Sequence, residues 1–344
     1  MQEVFCRIRM VPFSGILPDL AFRGRFAALR AVSTQVHDPL GRTSKGLRRP
    51  PKLTRQASRN PYSADAAGVF AVPSTDSVFE RRGMQIGFCT DPATLATLPA
   101  RPDCDFIEGH VVNFLLPEAP DADFAPHAAA LSSCGFPMPA ANVLLPAALK
   151  CSGPDIDYAR LDRYAHTVFR RAKEVGMNLI VFGSAGARMV PPGFSLSQGF
   201  EQYVDILRQF APLAQEHGVT IVVEPLNRGE CNLVNTVLEG AEAVRRANSP
   251  AVKLLVDIFH MLRNDESPDD IVKVGSLIRH AHVAENQDRA APGTNGENFR
   301  PYLRALKRAG YNDRLALEPI WTDLPKQLPG ALTELRRQLT DSGY

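Results

Sequence analysis

Eight short apolar runs with amphipathic stretches between them predict an α/β chain whose strands close into a (β/α)8 barrel. Two further observations favour closure over an open doubly wound sheet. No GxGxxG turn follows the first run, so the usual dinucleotide site of the open sheet is missing. Residues 84–344 also come close to the roughly 250 residues typical of one such barrel.

The segment before the barrel differs in charge from the rest of the chain. Residues 1–83 carry 14 Lys and Arg against 6 Asp and Glu, whereas residues 84–344 carry 25 against 31. The leading segment mixes Arg, Pro, Ser and Ala ("GRTSKGLRRPPKLTRQASRNPYS") without a helical or strand period, so a disordered basic extension is expected there. An over-extended start is one reading of it, because Met84 opens a clean first strand; a solvated tail, a targeting segment and a basic arm for nucleic acid are the others.

From Met84 the apolar runs are "MQIGFC" (84–89), "DFIE" (105–108), "NVLLP" (142–146), "NLIVFG" (178–183), "VTIVVE" (219–224), "VKLLVD" (252–257), "IRHAHV" (278–283) and "RLALE" (314–318). Near-continuous apolar strands of this kind belong to a parallel sheet covered by helices. Stretches such as "DYARLDRYAHTVFRRAKEVG", "FEQYVDILRQFAPLAQEHG" and "FRPYLRALKRAG" are apolar at i, i+3 and i+4 and end in glycine, which supplies a left-handed C-terminal cap. The six cysteines show no CxxC and no paired spacing, so a reducing, cytoplasmic setting is expected. No run approaches 18 apolar residues, so no membrane span is expected. The acidic balance of residues 84–344 disfavours a nucleic-acid partner.

The last four runs share one feature. Glu224 ends the fifth, Asp257 the sixth, His282 lies near the end of the seventh and Glu318 ends the eighth. Each interval fits one βα unit, so the four side chains should converge at the C-terminal mouth of the barrel. Taken singly, each has an ordinary explanation: a helix cap, a solvated loop residue, a satisfied core histidine. Three carboxylates and an imidazole drawn together would repel one another, and a divalent cation offsets that charge. Three oxygen ligands, one nitrogen and no thiolate suit Mn²⁺ first, with Mg²⁺ or Co²⁺ as alternatives, and do not suit structural zinc.

The segments "EPLNRGECNLVNT", "DIFHM", "HVAEN" and "LEP", with "VFGSAGAR" in support, resemble the xylose isomerase-like TIM barrels. That family includes ketose 3-epimerases of the tagatose and psicose type, hydroxypyruvate isomerases and inosose dehydratases. The resemblance covers residues 84–344 and implies that Glu224, Asp257, His282 and Glu318 are the metal ligands. It makes Glu224 and Glu318 the acid/base pair on opposite faces of the substrate. Glu230 would accept from a substrate hydroxyl, and His260 would contact a substrate oxygen beside the metal. The epimerases place an arginine a few residues after the strand-seven histidine; here Asp288 stands at that spot, and Arg289 follows it as the substrate-binding candidate.

This constellation permits proton removal next to a carbonyl through a metal-stabilised enediolate, that is, a sugar isomerase or epimerase of carbohydrate metabolism. The substrate would be a small carbohydrate or hydroxy-keto compound. Barrels of this kind often pair through their helical faces, so a homo-oligomer fits the reading. An inosose dehydratase-like lyase on the same site stays open. An apurinic endonuclease-like hydrolase is disfavoured, because "ENQDRAAPGTNGENF" lacks the D-x-H which that chemistry needs. Of the remaining polar residues, Glu108 and His110 are placed near the mouth. Lys150 and Arg188 are candidates for holding an anionic group, and His280 reads as a core histidine or a support to His282.

Overall fold

A computed structural model describes residues 83–344; residues 1–82, and with them nearly all of the segment expected to be a disordered extension, lie outside the described residues. Eight strands run in parallel: β1 (Gln85–Cys89), β2 (Phe106–His110), β3 (Ala140–Asn142), β4 (Leu179–Phe182), β5 (Thr220–Val223), β6 (Val252–Asp257), β7 (Ile278–Val283) and β8 (Arg314–Leu317). They follow one another in sequence order around a closed barrel, and β8 returns to pair with β1, for example Phe88 with Leu317. The expected (β/α)8 barrel is the observed one.

Among the described residues ten α-helices surround it: α1 (Pro92–Ala96), α2 (Asp121–Cys134), α3 (Tyr158–Glu174), α4 (Ala185–Arg188), α5 (Leu196–Glu216), α6 (Val237–Ala247), α7 (Ile258–Arg263), α8 (Pro268–Val274), α9 (Arg300–Arg308) and α10 (Leu324–Asp341). The longer ones are amphipathic, as their spacing predicts. In α3, Leu161, Tyr164, Ala165, Val168, Phe169 and Ala172 turn inward. Caps fix where several begin: the Ser195 hydroxyl accepts from Gln198 N at the start of α5, and that of Thr236 from Glu239 N at the start of α6. Among the described residues, no helix is long and apolar enough to cross a membrane.

Strand parity separates two cores. Ile180, Phe182, Ile221, Val223 and Leu254 pack outward with the helices, whereas Ala140, Leu179, Val181, Val222 and Leu255 form a small cluster of their own. Because successive side chains on a strand point to opposite faces, this second set fills the barrel interior. Stepping by two toward the C-terminal ends gives the inward positions at the mouth: Asn142, Gly183, Glu224 and Asp257. The same parity places His280 and His282 inward on β7. Where β6 meets β7 the register shifts by one residue, so that Leu255 stands beside His280 and Asp257 beside His282. Such irregularities are found where a strand must re-aim side chains.

The third strand differs from the expectation. It ends at Asn142 instead of beginning there, and Val143 turns into a left-handed conformation (φ 54°). The apolar run that follows is buried as a loop: Leu144 N donates to Val181 O, and Leu145 N to the Ser184 hydroxyl. Burial without a ladder produces the same apolar signal as a strand. On β1, Gly87 leaves room for the ring of Phe106, which an added Cβ would meet at 2.5 Å.

Candidate metal centre

Glu224 follows β5 directly, Asp257 closes β6, His282 is the fifth residue of β7 and Glu318 follows β8. One ligand atom from each lies within 4.8 Å of the others. His282 Nδ1 stands 3.3 Å from Glu224 Oε1 and 3.1 Å from Glu318 Oε2. The structure therefore brings together the four residues expected to converge.

The donor set suits a divalent cation. Glu224 Oε1, Asp257 Oδ2 and His282 Nδ1 are buried and have no hydrogen-bond partner among the described residues. Buried polar atoms are ordinarily paired, and three unpaired ones from three strands meeting at one place make a candidate coordination site. The other oxygen of Asp257 is already committed: Oδ1 accepts from Phe259 N at 2.8 Å, which also starts α7. Burial pushes Glu224 up and Asp257 up to about 6, outweighing His282 beside the first and the Arg289 guanidinium beside the second. Burial acts the same way on Glu318, yet His282 and Arg289 outweigh it and hold that carboxyl well below the usual range. Cys89, Glu108 and His282 form a second close grouping. There burial, with the charge of Glu108, keeps the Cys89 thiol protonated, so it offers no thiolate.

Arg289 joins the cluster from the loop after β7. Its Nη2 lies 2.5 Å from Glu318 Oε2 and 3.6 Å from Asp257 Oδ2, and its Nη1 lies 3.8 Å from Glu230 Oε1. Its guanidinium also covers the Phe259 ring at 4.7 Å. Asp288 and Arg289 are both left-handed (φ 58° and 48°). Two adjacent non-glycine residues in that region carry some backbone strain, less at Asp288 because aspartate tolerates it. His260 is buried, with Nε2 3.5 Å from Asp257 Oδ2. Asn227 holds its other nitrogen and also donates to Glu230 Oε1 at 2.8 Å. Glu230 and His260, predicted as substrate contacts, thus share one support.

Two openings flank the cluster. One of about 520 Å³ is walled by Pro92, Phe114 and Pro126 and reaches Cys89, Glu108 and Asn142. The other, of about 880 Å³, is bordered by Glu230, Phe259, Arg289 and Glu318. His110 lines the first. Lys150 and Arg188, the candidates for holding an anionic group, line neither. Lys150 Nζ donates to Gly186 O at 2.8 Å, and Arg188 is fully buried with Nη1 3.2 Å from Phe182 O.

Three contributors escaped the sequence. Asn142 Nδ2 donates to Glu318 Oε1 at 2.6 Å, and was hidden by the misplaced third strand. Asn227 sits in a motif whose two glutamates drew the attention. Gly183 ends the fourth run and admits the Glu224 carboxylate, a role visible only once β4 and β5 are adjacent.

A family model described as xylose isomerase-like TIM barrel matches residues 120–339. The chain is 33% identical over 121 residues to a D-psicose 3-epimerase of Ruminiclostridium cellulolyticum, an alignment covering 35% of this chain and 41% of that protein. It therefore spans about two fifths of that relative's length. The crystal structure of a D-allulose 3-epimerase from Methylomonas sp. superposes with a TM-score of 0.64 at 21% identity, covering 75% of this chain and 98% of that one. The IOLI protein, whose crystal structure contains a bound zinc atom, superposes at 0.58 with 18% identity, covering 75% of this chain and 98% of that one. At these identities the structural matches speak for the fold.

Proposed function

The chain belongs to the xylose isomerase-like TIM barrel family, and from that premise we propose that it is a divalent-metal-dependent sugar epimerase or isomerase. The observation that carries this reading is the meeting of Glu224, Asp257, His282 and Glu318 within 4.8 Å, with three buried ligand atoms unpaired. These four residues would hold the cation, Mn²⁺ before Mg²⁺ or Co²⁺ from the oxygen-rich donor set. When bound, it would supply charge stabilisation to the oxygens beside the carbon that loses its proton.

The protein's own groups do the rest. Glu224 enters from β5 and Glu318 from β8, with His282 between them, so one carboxylate can take the proton while the other returns it. Asn142 and Arg289 each grip one oxygen of Glu318 and fix its orientation. Glu230 borders the larger opening and would hold a substrate hydroxyl, and buried His260 would contact a substrate oxygen beside the metal. Return of the proton to the same carbon inverts it; return to the neighbouring carbon moves the carbonyl. The similarity to a D-psicose 3-epimerase favours inversion of a ketose.

The test strips the full-length protein with a chelator and follows α-hydrogen exchange of a ketose panel in D₂O by NMR, with and without Mn²⁺. Exchange that requires the metal and is lost in Glu318→Gln is expected. Failure of the protein to bind any divalent ion would sink the reading.

A further inference from the structure

Glu108 lies on β2 with 1% of its surface exposed, inside the barrel and across from β7. Its Oε1 faces His282 Nε2 at 3.0 Å and its Oε2 faces His280 Nε2 at 2.7 Å. The two rings stand nearly perpendicular, with centroids 4.9 Å apart. An ionised carboxylate only accepts, so both Nε2 atoms carry the hydrogen. When a cation displaces the Nδ1 proton, His282 then offers its lone pair on Nδ1 alone, the atom that faces Glu224 and Glu318.

We propose that Glu108 is a positioning residue for the metal centre: it fixes His282 as the tautomer whose Nδ1 binds the cation, while His280 holds its second oxygen. This rests on the metal-dependent reading given above. As a device for stability alone the arrangement is poor. A buried carboxylate is costly to desolvate, and an apolar side chain of similar size would serve the core better. What the carboxylate adds is direction and basicity: a metal-bound imidazole whose other N–H is held by a carboxylate binds more tightly and in one orientation. His280, with its Nδ1 unpartnered and its ring fully buried, serves to stop Glu108 from turning away.

The two obvious variants separate charge from geometry. In Glu108→Gln the amide oxygen can still accept from His282, and its NH₂ can turn to His280 if that ring moves its proton to Nδ1. The tautomer of His282 survives and only the charge is lost. In Glu108→Ala nothing selects the tautomer. The full chain is stripped with a chelator and titrated with Co²⁺ in competition with a chromophoric chelator, recording the visible d–d bands and the thermal unfolding of the metal-free form. Affinity is expected to fall about tenfold in the Gln variant and about a hundredfold in the Ala variant, with changed Co²⁺ bands in the latter. Co²⁺ affinity within twofold of wild type in the Ala variant, with unaltered bands and only the metal-free melting temperature changed, would overturn the proposal and leave Glu108 a core residue. If the Ala variant does not fold, Glu108→Leu, which fills the same space and offers no acceptor, takes its place and is read in the same way. Absence of Co²⁺ binding by the wild-type protein would instead remove the metal reading itself, and this proposal with it.

Discussion

The Oε2 atom of Glu224 occupies the place where a side chain at residue 183 would begin: a Cβ on Gly183 would lie 1.6 Å from it. Glycine follows β4 because the carboxylate from β5 lies over it, and no other residue leaves that space. The obstacle an alanine would meet is the far end of a flexible side chain, so Glu224 would swing aside before the barrel gave way. Gly183→Ala is therefore expected to lower Mn²⁺ affinity and ketose proton exchange at least tenfold. The unfolding free energy, measured by urea denaturation, should change by less than about 1 kcal/mol. An unaltered metal affinity would show that Glu224 does not need the position it occupies here.

The barrel was legible because its strands are short, apolar and regularly spaced, and the cluster was legible because Glu224, Asp257, His282 and Glu318 recur at matching strand ends. Both signals are local in sequence. What stayed hidden depends on neighbours far apart along the chain: Asn142 reaches Glu318 across 176 residues, and Glu108 reaches His282 across 174. Lys150 and Arg188 differ in another way. Lys150 follows β3 and Arg188 closes α4, both past strand ends where a charge invites a ligand, but Lys150 Nζ donates to Gly186 O and Arg188 Nη1 to Phe182 O. The β6–β7 register shift that sets Asp257 beside His282 has no marker in the sequence at all.

Away from the cluster, Glu266 should make stability depend on pH. Burial pushes its carboxyl up to about 7, with the charges of Asp270 and Glu239 adding to that, against the Val237 N–H at 2.8 Å and the Asn264 side chain, which favour the ionised form. A folded pKa above the unfolded value means that the folded state holds the proton more tightly, so stability is lost as pH rises toward and through 7. A tenfold difference in proton affinity between the folded and unfolded chain is worth about 1.4 kcal/mol, and a loss on the order of 2 kcal/mol between about pH 5 and pH 8 is expected. Glu266→Gln, which cannot ionise, should remove that part of the slope. Parallel pH profiles of unfolding free energy for the wild type and the variant would show that Glu266 does not titrate in this range.

Asn227 governs what His260 can do. The backbone N–H of Asn227 points at His260 Nδ1 from 3.1 Å, and its side-chain nitrogen lies 2.9 Å from the same atom. A backbone N–H can only donate, so Nδ1 accepts and the imidazole, if neutral, carries its hydrogen on Nε2. Burial favours the neutral ring. His260 therefore presents a donor to the site and suits a substrate oxygen; it is poorly placed to take a proton. The same amide holds Glu230 Oε1 at 2.8 Å, so one residue sets both predicted substrate contacts. Asn227→Ala removes the side-chain bonds while the backbone N–H remains, so His260 should keep its tautomer and lose only its orientation, and Glu230 should swing free. The expected result is a KM for ketose raised about tenfold or more with a smaller change in kcat, because hydroxyl contacts are lost while the proton-moving carboxylates are untouched. The ¹⁵N shifts of His260 should still report hydrogen on Nε2. A fall confined to kcat, or a ring found with its hydrogen on Nδ1, would mean that His260 takes part in moving the proton.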